Sequence, residues 1–565
     1  MAAEDPRPLG NAAIAKRLAS LAQLMAIRKE NPFKVRAYRR AAARIRSVAE
    51  SLEQMVHDGG DLTRFAGVGE GVAAAIREIV LTGSLAKLER LREESPTGAA
   101  GIGDYPRLDL RRVLRVYKKL GIDSIEELRE RLESGAIERQ FGARMAQHIA
   151  QGIDEPRAML LYHADALQAA LEAFILDDAA VKRVEAAGAW RRRVEIVEDL
   201  VFLVETDDFP ALARRVQRFG GDTPLVAQAS GRATFKLAAG ILLHLCHEDP
   251  AHWGLGLIRC TGSGPHLRKL HAITGSFREL AASPESFADE AAVYARFNLD
   301  YIEPELREGR DEIERAGSHS LPTLVTAADI MGELHAHSTS SDGAHSIQDM
   351  AGAARDRGYR YLGMTDHSQS LKIARGVSVA DLWAQIRFID NLNERLADFR
   401  ILKSSEVDIL EDGSLDYPDD LLAELDYTVC SIHSRFGLGR DAQTERILRA
   451  MDNKHFNILG HATGRLLLKR PGYEIDIGRL VDHAKQAGCF FEINSSPDRL
   501  DLSAEYARIA ALAGVKIAVS TDAHSTREFP LIRCGIDQAR RAGLEKSSVI
   551  NCLPWEDLAR LFRRA

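Results

Sequence analysis

Cysteine is scarce, six in 565 residues with no CxxC pair, which argues against a disulfide framework. Cys430 and Cys489 fall in apolar strand-like runs and read as reduced core residues. No apolar run approaches the length of a membrane span, and the Met1 end lacks the apolar stretch of a signal peptide. A soluble, cytoplasmic chain with no membrane partner is therefore expected. Internal repeats and low-complexity tracts are missing too. A net charge of −7 excludes a uniformly basic nucleic-acid coat. The length implies several domains, each able to bury its own core.

What the chain has in abundance is metal-competent side chains in its last 240 residues or so. In GELHAHSTSSDG, His335 and His337 sit two apart on an expected strand, so both imidazoles project from one face and can chelate one ion. YRYLGMTDH then delivers Asp366 and His367, ILKSSEVD delivers Glu406, YTVCSIH delivers His433, and NILGH delivers His461. CFFEIN ends on Asn494, and VKIAVSTDAH ends on Asp522 and His524. Asp342 completes the set. Helical patterns such as VADLWAQIRFIDNLNERLA separate these runs, so the segment reads as a βα alternation with its ligands at strand ends. His345, His455 and His483 lie within or near the helical patterns and are read as non-ligands. Imidazole and carboxylate without thiolate favour zinc, manganese or iron, and nine donors suit two or three divalent ions. A multinuclear centre suggests phosphoester hydrolysis, by water activation and phosphoryl polarisation.

HAHSTSSDG, TDHS, EVDILEDGSLD, SIHSRF, GHATGRLL, EINSSPDRLDL and STDAHS together resemble the PHP (polymerase and histidinol phosphatase) domain of bacterial family X DNA polymerases. The resemblance implies that the family's nine metal ligands carry over onto His335, His337, Asp342, His367, Glu406, His433, His461, Asp522 and His524. It also implies that Arg375 and Arg465 lie near the scissile phosphate, where a guanidinium can bind phosphate oxygens bidentately. Asp366 is expected to orient a ligand from behind.

The first 50 residues carry eleven basic and four acidic side chains, many of them in KENPFKVRAYRRAAARIR. Lys34, Arg36, Arg39 and Arg40 are candidate phosphate contacts. DLTRFAGVGEGVAAAIREI resembles a helix-hairpin-helix, with Gly67, Gly69 and Gly71 giving backbone amides access to a DNA phosphate. The second hairpin of the family is eroded, with Arg107 and Asp109 at glycine positions, and a third remnant keeps Gly142. Ala75 stands at the family's lyase lysine; Lys34 and Lys87 are weak substitutes.

AAGAWRRRVEIVEDLVFLVE resembles the family's nucleotidyltransferase palm, with Gly188, Arg191, Arg192 and Asp199 retained. The second carboxylate of the Asp-x-Asp pair is Val201, Ala189 replaces a serine, and GRATFKLAAG supplies no third carboxylate. Glu198 lies on the opposite strand face, and Glu205 is most of a strand away. The polymerase site is expected to be vestigial.

The expected architecture is multidomain, α plus α/β: helix-hairpin-helix domain 1–90, fingers-like helices 91–155, palm and thumb 156–316, linker 317–327, and a distorted (β/α)7 barrel over 328–565. The expected function is a metal-dependent DNA phosphodiesterase, a 3′→5′ exonuclease with possible abasic-site endonuclease activity. It would act as a monomer on gapped, nicked or 3′-end repair intermediates. Three alternatives stay open: an active gap-filling polymerase, a small-molecule phosphatase of the histidinol phosphate type, and a DNA-binding scaffold.

Overall fold

The computed structural model describes residues 9–94, 110–122, 124–153, 158–238, 240–282 and 284–563. Arg107 and Asp109 lie outside them. The chain opens with helices Asn11–Ile27, Pro32–Ile45, Leu52–His57, Glu70–Thr82 and Ala86–Glu93, packed around Ile14, Leu18, Leu21, Val35, Ile76 and Leu88. Local chemistry fixes the ends. Asn31 accepts from Phe33 N at 2.8 Å ahead of Pro32 at the first helical position, and Gly83 closes Glu70–Thr82 in the left-handed conformation. Gly220 N donates to Ala49 O at 2.8 Å, joining these helices to the next sheet. Four short helices between Leu110 and Ile153 enclose a small core of Val113, Val116, Leu128, Ile137 and Ile149, with Gly142 turning between two of them at φ +86°.

Strands β2 (Val181–Ala187), β4 (Asp199–Thr206), β5 (Leu225–Ala229), β6 (Arg232–Lys236) and β7 (Leu242–His247) form a sheet of order β2-β4-β7-β6-β5; β1 (Met159–Leu160) pairs with β3 (Ile196–Val197). Alternation sorts β4 by face. Leu200, Phe202 and Val204 pack under helices Leu161–Leu176 and Phe209–Val216, whereas Leu203 joins Cys246, Trp253 and Leu257 on the other side. Asp199 and Val201 share that second face.

Beyond it lies a helical unit whose interior holds a charge. Arg307 is fully buried; it donates to Glu290 Oε1 at 2.5 Å and to Ile302 O at 2.9 Å. Glu290 also takes both Arg191 nitrogens at 2.8 Å.

The last 230 residues or so form the barrel. Its strands are β8 (Gly332–Ala336), β9 (Tyr361–Met364), β10 (Arg400–Lys403), β11 (Glu406–Asp408), β12 (Val429–Ser431), β13 (Ile458–Leu459), β14 (Phe490–Asn494) and β15 (Ile517–Ser520). All their pairings are parallel, in the orders β10-β9-β8 and β11-β12-β13-β14-β15. Parallel bridges His367–Glu406 and Ala336–Ala523 join the two sheets. Since β10 runs through Ser404 and Ser405 into β11, the eight segments act as seven staves, as expected for the distorted (β/α)7 barrel. Apart from Arg400 and Lys403 at the ends of β10, strand residues are buried on both faces, as helix-wrapped parallel sheets require.

The period of two builds the interior in layers. Tyr361, Leu402, Val429, Ile458, Phe490 and Ala518 share an apolar cluster with Leu558 and Phe562 of the last helix, Trp555–Phe562. Two residues onward lie Gly363, Ser404, Ser431, Glu492 and Ser520. Two further lie Thr365, Glu406, His433, Asn494 and Asp522.

Burial would raise the Glu290 carboxyl, yet the Arg191 and Arg307 guanidiniums hold it at about 2, below its ordinary 4.5. Its stabilising contribution is complete above about pH 4.5 and is lost as pH falls through about 2. Glu290→Gln, which strands a buried cation, is expected to cost about 3 kcal/mol at neutral pH. Denaturant titration at stepped pH checks this: the difference from wild type should shrink on acidification through that window.

Candidate metal centre

The nine expected ligands converge at the carboxyl ends of the strands. Glu406 is the hub. Its two oxygens lie 3.4 Å from His335 Nε2, 3.7 Å from His337 Nε2, 2.7 Å from His367 Nδ1, 3.3 Å from His433 Nε2 and 2.8 Å from His461 Nε2. Asp522 faces His335 at 3.6 Å and His337 at 3.0 Å. Asp342 reaches His524 at 3.3 Å and His367 at 3.6 Å. Eight of the nine donors fall into three overlapping groups, His335–His337–Asp522, His367–Glu406–His433 and His337–Asp342–His367–His524, and the ninth, His461, meets Glu406. The last of these groups is the open side, because Asp342 and His524 are about one-third exposed, whereas Glu406 is buried.

This donor set fits divalent metal ions. His335 Nε2, His337 Nδ1, His367 Nδ1, His461 Nδ1 and Glu406 Oε2 are buried and make no hydrogen bond of good geometry, although His367 Nδ1 and Glu406 Oε2 approach to 2.7 Å, an arrangement that is costly unless a cation completes it. Although burial would raise them, Glu406 and Asp522 are held well below the usual carboxylate range by the imidazoles around them. Burial, reinforced by His367, drives His337 down to about 4. Although burial would lower them, His335, His433 and His524 are instead raised by the carboxylates facing them, so protons there stand where a bound cation would replace them.

Residues behind the ligands aim them. Glu492 accepts from His335 Nδ1 at 2.6 Å and, through its other oxygen, from His461 N at 2.8 Å; Asp408 pairs with His433 Nδ1. His524 Nδ1 contacts Asp522 O at 2.8 Å, and Asn494 donates to Asp522 Oδ2 at 3.0 Å. These contacts free the opposite ring nitrogens of His335, His433 and His524. Two ligands sit in the left-handed region, His461 at φ +27° and Asp522 at φ +54°, strain of the kind concentrated at functional sites.

Glu492 and Asp408 were missed because a carboxylate inside an apolar strand gives no spacing signal. Each lies two residues from a noted position, however, and strand alternation was the available clue.

Of the residues expected beside the ligands and the scissile phosphate, Arg465 needs correction. Asp366 acts on the loop of Asp342: its oxygens accept from Ser338 N (2.8 Å), Ser338 Oγ (2.7 Å), Ser341 Oγ (2.6 Å) and Gln385 Nε2 (3.0 Å), so it holds in place the loop that carries this candidate ligand. Arg465 is consumed, donating to Glu195 Oε1 at 2.8 Å and to the Arg499 and Leu500 carbonyls. Its expected place is taken by Arg499, whose Nε lies 3.8 Å from Asp522 Oδ2. Arg375 is exposed, with no ionic partner among the described residues. Among the glycines of the first hairpin, only Gly67 (φ +88°) needs glycine for its backbone; Gly69 and Gly71 leave open surface. Lys34, Arg36, Arg39 and Arg40 are exposed on Pro32–Ile45, and the Arg36 guanidinium lies 4.7 Å from the centre of the exposed Phe33 ring. Ala75 is buried, and Lys87 is paired with Glu30 at 2.7 Å.

In the palm-like sheet, Gly188 approaches Val201, Thr234 Oγ1 meets His244 Nδ1 at 2.9 Å, and His244 Nε2 lies 3.8 Å from Asp199. Arg191 is bound by Glu290, and Arg192 by Glu308 at 3.2 Å. Among the described residues no group of three metal-competent donors gathers at Asp199.

Fold and site thus define a helix-hairpin-helix protein joined through a palm-like sheet to a PHP barrel. A model of the "Helix-hairpin-helix domain" family matches residues 9–85, and one of the "PHP domain" family matches residues 333–496. The "DNA polymerase/3'-5' exonuclease PolX" of Bacillus subtilis (strain 168) is 33% identical over 571 residues, covering 98% of this chain and 99% of that protein. The chain belongs to the PolX family. A "Probable phosphatase" of Thermoanaerobacter sp. (strain X514) is 33% identical over 233 residues, 39% of this chain and 89% of its own length. Another, of Clostridium acetobutylicum, is 31% identical over 206 residues, 34% of this chain and 78% of its own. Asp522 and His524 lie beyond the matched PHP span, and barrel closure supplies them. Among the described residues no helix is long and apolar enough to cross a membrane.

Glu492→Gln replaces an acceptor shared by two ligands with a group that is half donor. Divalent-ion affinity is expected to fall about 10- to 100-fold with the fold intact. Manganese and zinc titrations against a competing chromophoric chelator, alongside circular dichroism, check this.

Proposed function

We propose that the barrel hydrolyses DNA phosphodiesters from 3′ ends, as an exonuclease with abasic-site endonuclease capacity, and that the palm no longer polymerises. The observation that carries this is the gathering of five imidazoles around Glu406, with Asp522, Asp342 and His524 joined to the same cluster, in a chain whose other end bears an exposed basic helix and a helix-hairpin-helix. His335, His337, Glu406 and Asp522 would hold one ion, His433 and His461 with Glu406 a second, and Asp342, His367 and His524 a third, manganese and zinc being the best-suited metals. When bound, the ions supply Lewis acidity and an activated water at neutral pH.

The protein's part is positioning. Glu492 and Asp408 hold protons on the far nitrogens of His335 and His433 and keep both rings turned inward. The apolar layer below excludes water, so substrate enters past the exposed Asp342 and His524. Arg499 and Arg375 bind non-bridging phosphate oxygens there. Lys34, Arg36, Arg39, Arg40 and the amides of the Gly67–Gly71 turn hold DNA phosphates without reading sequence.

Loss of polymerisation rests on three features of the palm. Asp199 has no carboxylate partner, position 201 is valine, and Arg191 and Arg192 are neutralised by Glu290 and Glu308. Losing a two-metal site removes on the order of 5 kcal/mol or more of transition-state stabilisation.

The test incubates wild type and Asp522→Ala with manganese and a 5′-labelled primer bordering a one-nucleotide gap, with and without deoxynucleotides. Shortening by wild type only is expected. Lengthening would refute the loss of polymerisation, and hydrolysis of a phosphomonoester with DNA left intact would favour the phosphatase reading. Arg499→Ala is expected to slow shortening about 100-fold, within the range for removing one donor to developing phosphate charge. Arg465→Ala is expected to act less, because its guanidinium is spent on Glu195 and two carbonyls.

A further inference from the structure

The segment between ligand His367 and Val377 leaves the barrel and returns to its starting point. Val377 N donates to His367 O at 2.8 Å, and a side chain at Gly376 would collide with the Ser368 carbonyl, so the neck is closed. Its root is fastened to the metal centre. Ser368 N donates to Glu406 O at 2.9 Å, Ser370 N to Asp416 Oδ2 at 2.6 Å, and Ser370 Oγ to Asp408 Oδ2, the residue that also orients His433. The tip is a short 3-10 turn, Lys372–Ala374, closed by Arg375 in the left-handed conformation at φ +57°.

That tip carries an isoleucine in water. Ile373 is 93% exposed, more than any other large apolar side chain among the described residues, the next being Phe33 at 72%. Two cations flank it, Lys372 and Arg375, both exposed and without an ionic partner among the described residues. The loop rises from His367, a member of the open donor group with Asp342 and His524. An apolar side chain between two free cations, on a loop rooted at the donor cluster, matches the chemistry of a nucleic-acid end: phosphates for the cations, base faces for the isoleucine.

Building on the phosphodiesterase reading, we propose that Ile373 is a wedge that parts the terminal base pair of duplex DNA, while Lys372 and Arg375 grip the backbone and lead a single 3′ strand to the metal centre. Ile373 therefore sets which DNA ends are substrates and leaves hydrolysis to the centre and its arginines.

The experiment compares wild type, Ile373→Ala and Ile373→Leu on one labelled strand presented single-stranded, fully paired, or paired with a mismatched 3′ terminus. Ile373→Ala is expected to degrade the single strand and the mismatched end at the wild-type rate and the paired end about tenfold more slowly, with Ile373→Leu restoring most of the loss. Metal content and melting temperature should not change, since the side chain is in solvent. Equal slowing on all three substrates, or no slowing on any, would overturn the wedge; the latter would point to a protein partner for Ile373. A wild type that leaves even the single strand intact would instead sink the phosphodiesterase reading, and the wedge with it.

Discussion

One buried carboxylate organises the C-terminal half of this molecule. Glu406 stands at a bend between two strand segments, and imidazoles from five positions on β8, β9, β12 and β13 or just beyond them turn toward its two oxygens. Closure of the barrel passes through the same residue, since the His367–Glu406 bridge joins the two sheets. Several lone pairs in a water-poor pocket make no hydrogen bond of good geometry, so the fold carries a desolvation cost that cations would offset. The order of layers follows from this. Apolar side chains fill the bottom and small or polar ones the middle, and the donors stand only where the strands run out and substrate can approach.

The palm is integrated into this barrel by ion pairs. Arg193 bridges Asp165 and Asp537 at 2.9 and 2.7 Å, Arg533 reaches Asp165 at 2.6 Å, and Arg541 binds Glu308 at 2.9 Å and the Arg192 carbonyl at 2.6 Å. Arg465 closes the set on Glu195. Apolar contacts of Leu160 and Ile196 with Leu467, Leu500 and Cys534 lie beside them. Arg465, which the sequence pattern associates with phosphate, thus helps hold domains together. A bidentate guanidinium–carboxylate pair in a partly dry interface is specific in geometry, so such residues resist being recruited for substrate as well.

Much of the site was legible because the signals were local. His335 and His337 two apart, and a polar donor closing each apolar run, follow from alternation along single strands. Family resemblance then joined those runs into one ligand set. Glu492 and Asp408 escaped notice because each looks like an isolated charge until its neighbour across the barrel is known. Arg465 misled for the complementary reason: its motif lies beside the centre, but its guanidinium found a carboxylate in another domain before it could face a phosphate. Asp366 sits next to one ligand in sequence and holds the loop of another, Asp342.

The sequence by itself determined the element types, the exposed basic helix and the nine candidate donors at strand ends, because periodicity, capping and residue chemistry act over a few neighbouring positions. Tertiary structure alone decided which nitrogen of each imidazole is free, which arginines remain available, and that the loop after His367 lifts Ile373 into solvent beside the centre. Those outcomes depend on pairs hundreds of residues apart, such as Arg465 with Glu195 and His335 with Glu492, whose meeting is set by barrel closure and domain packing.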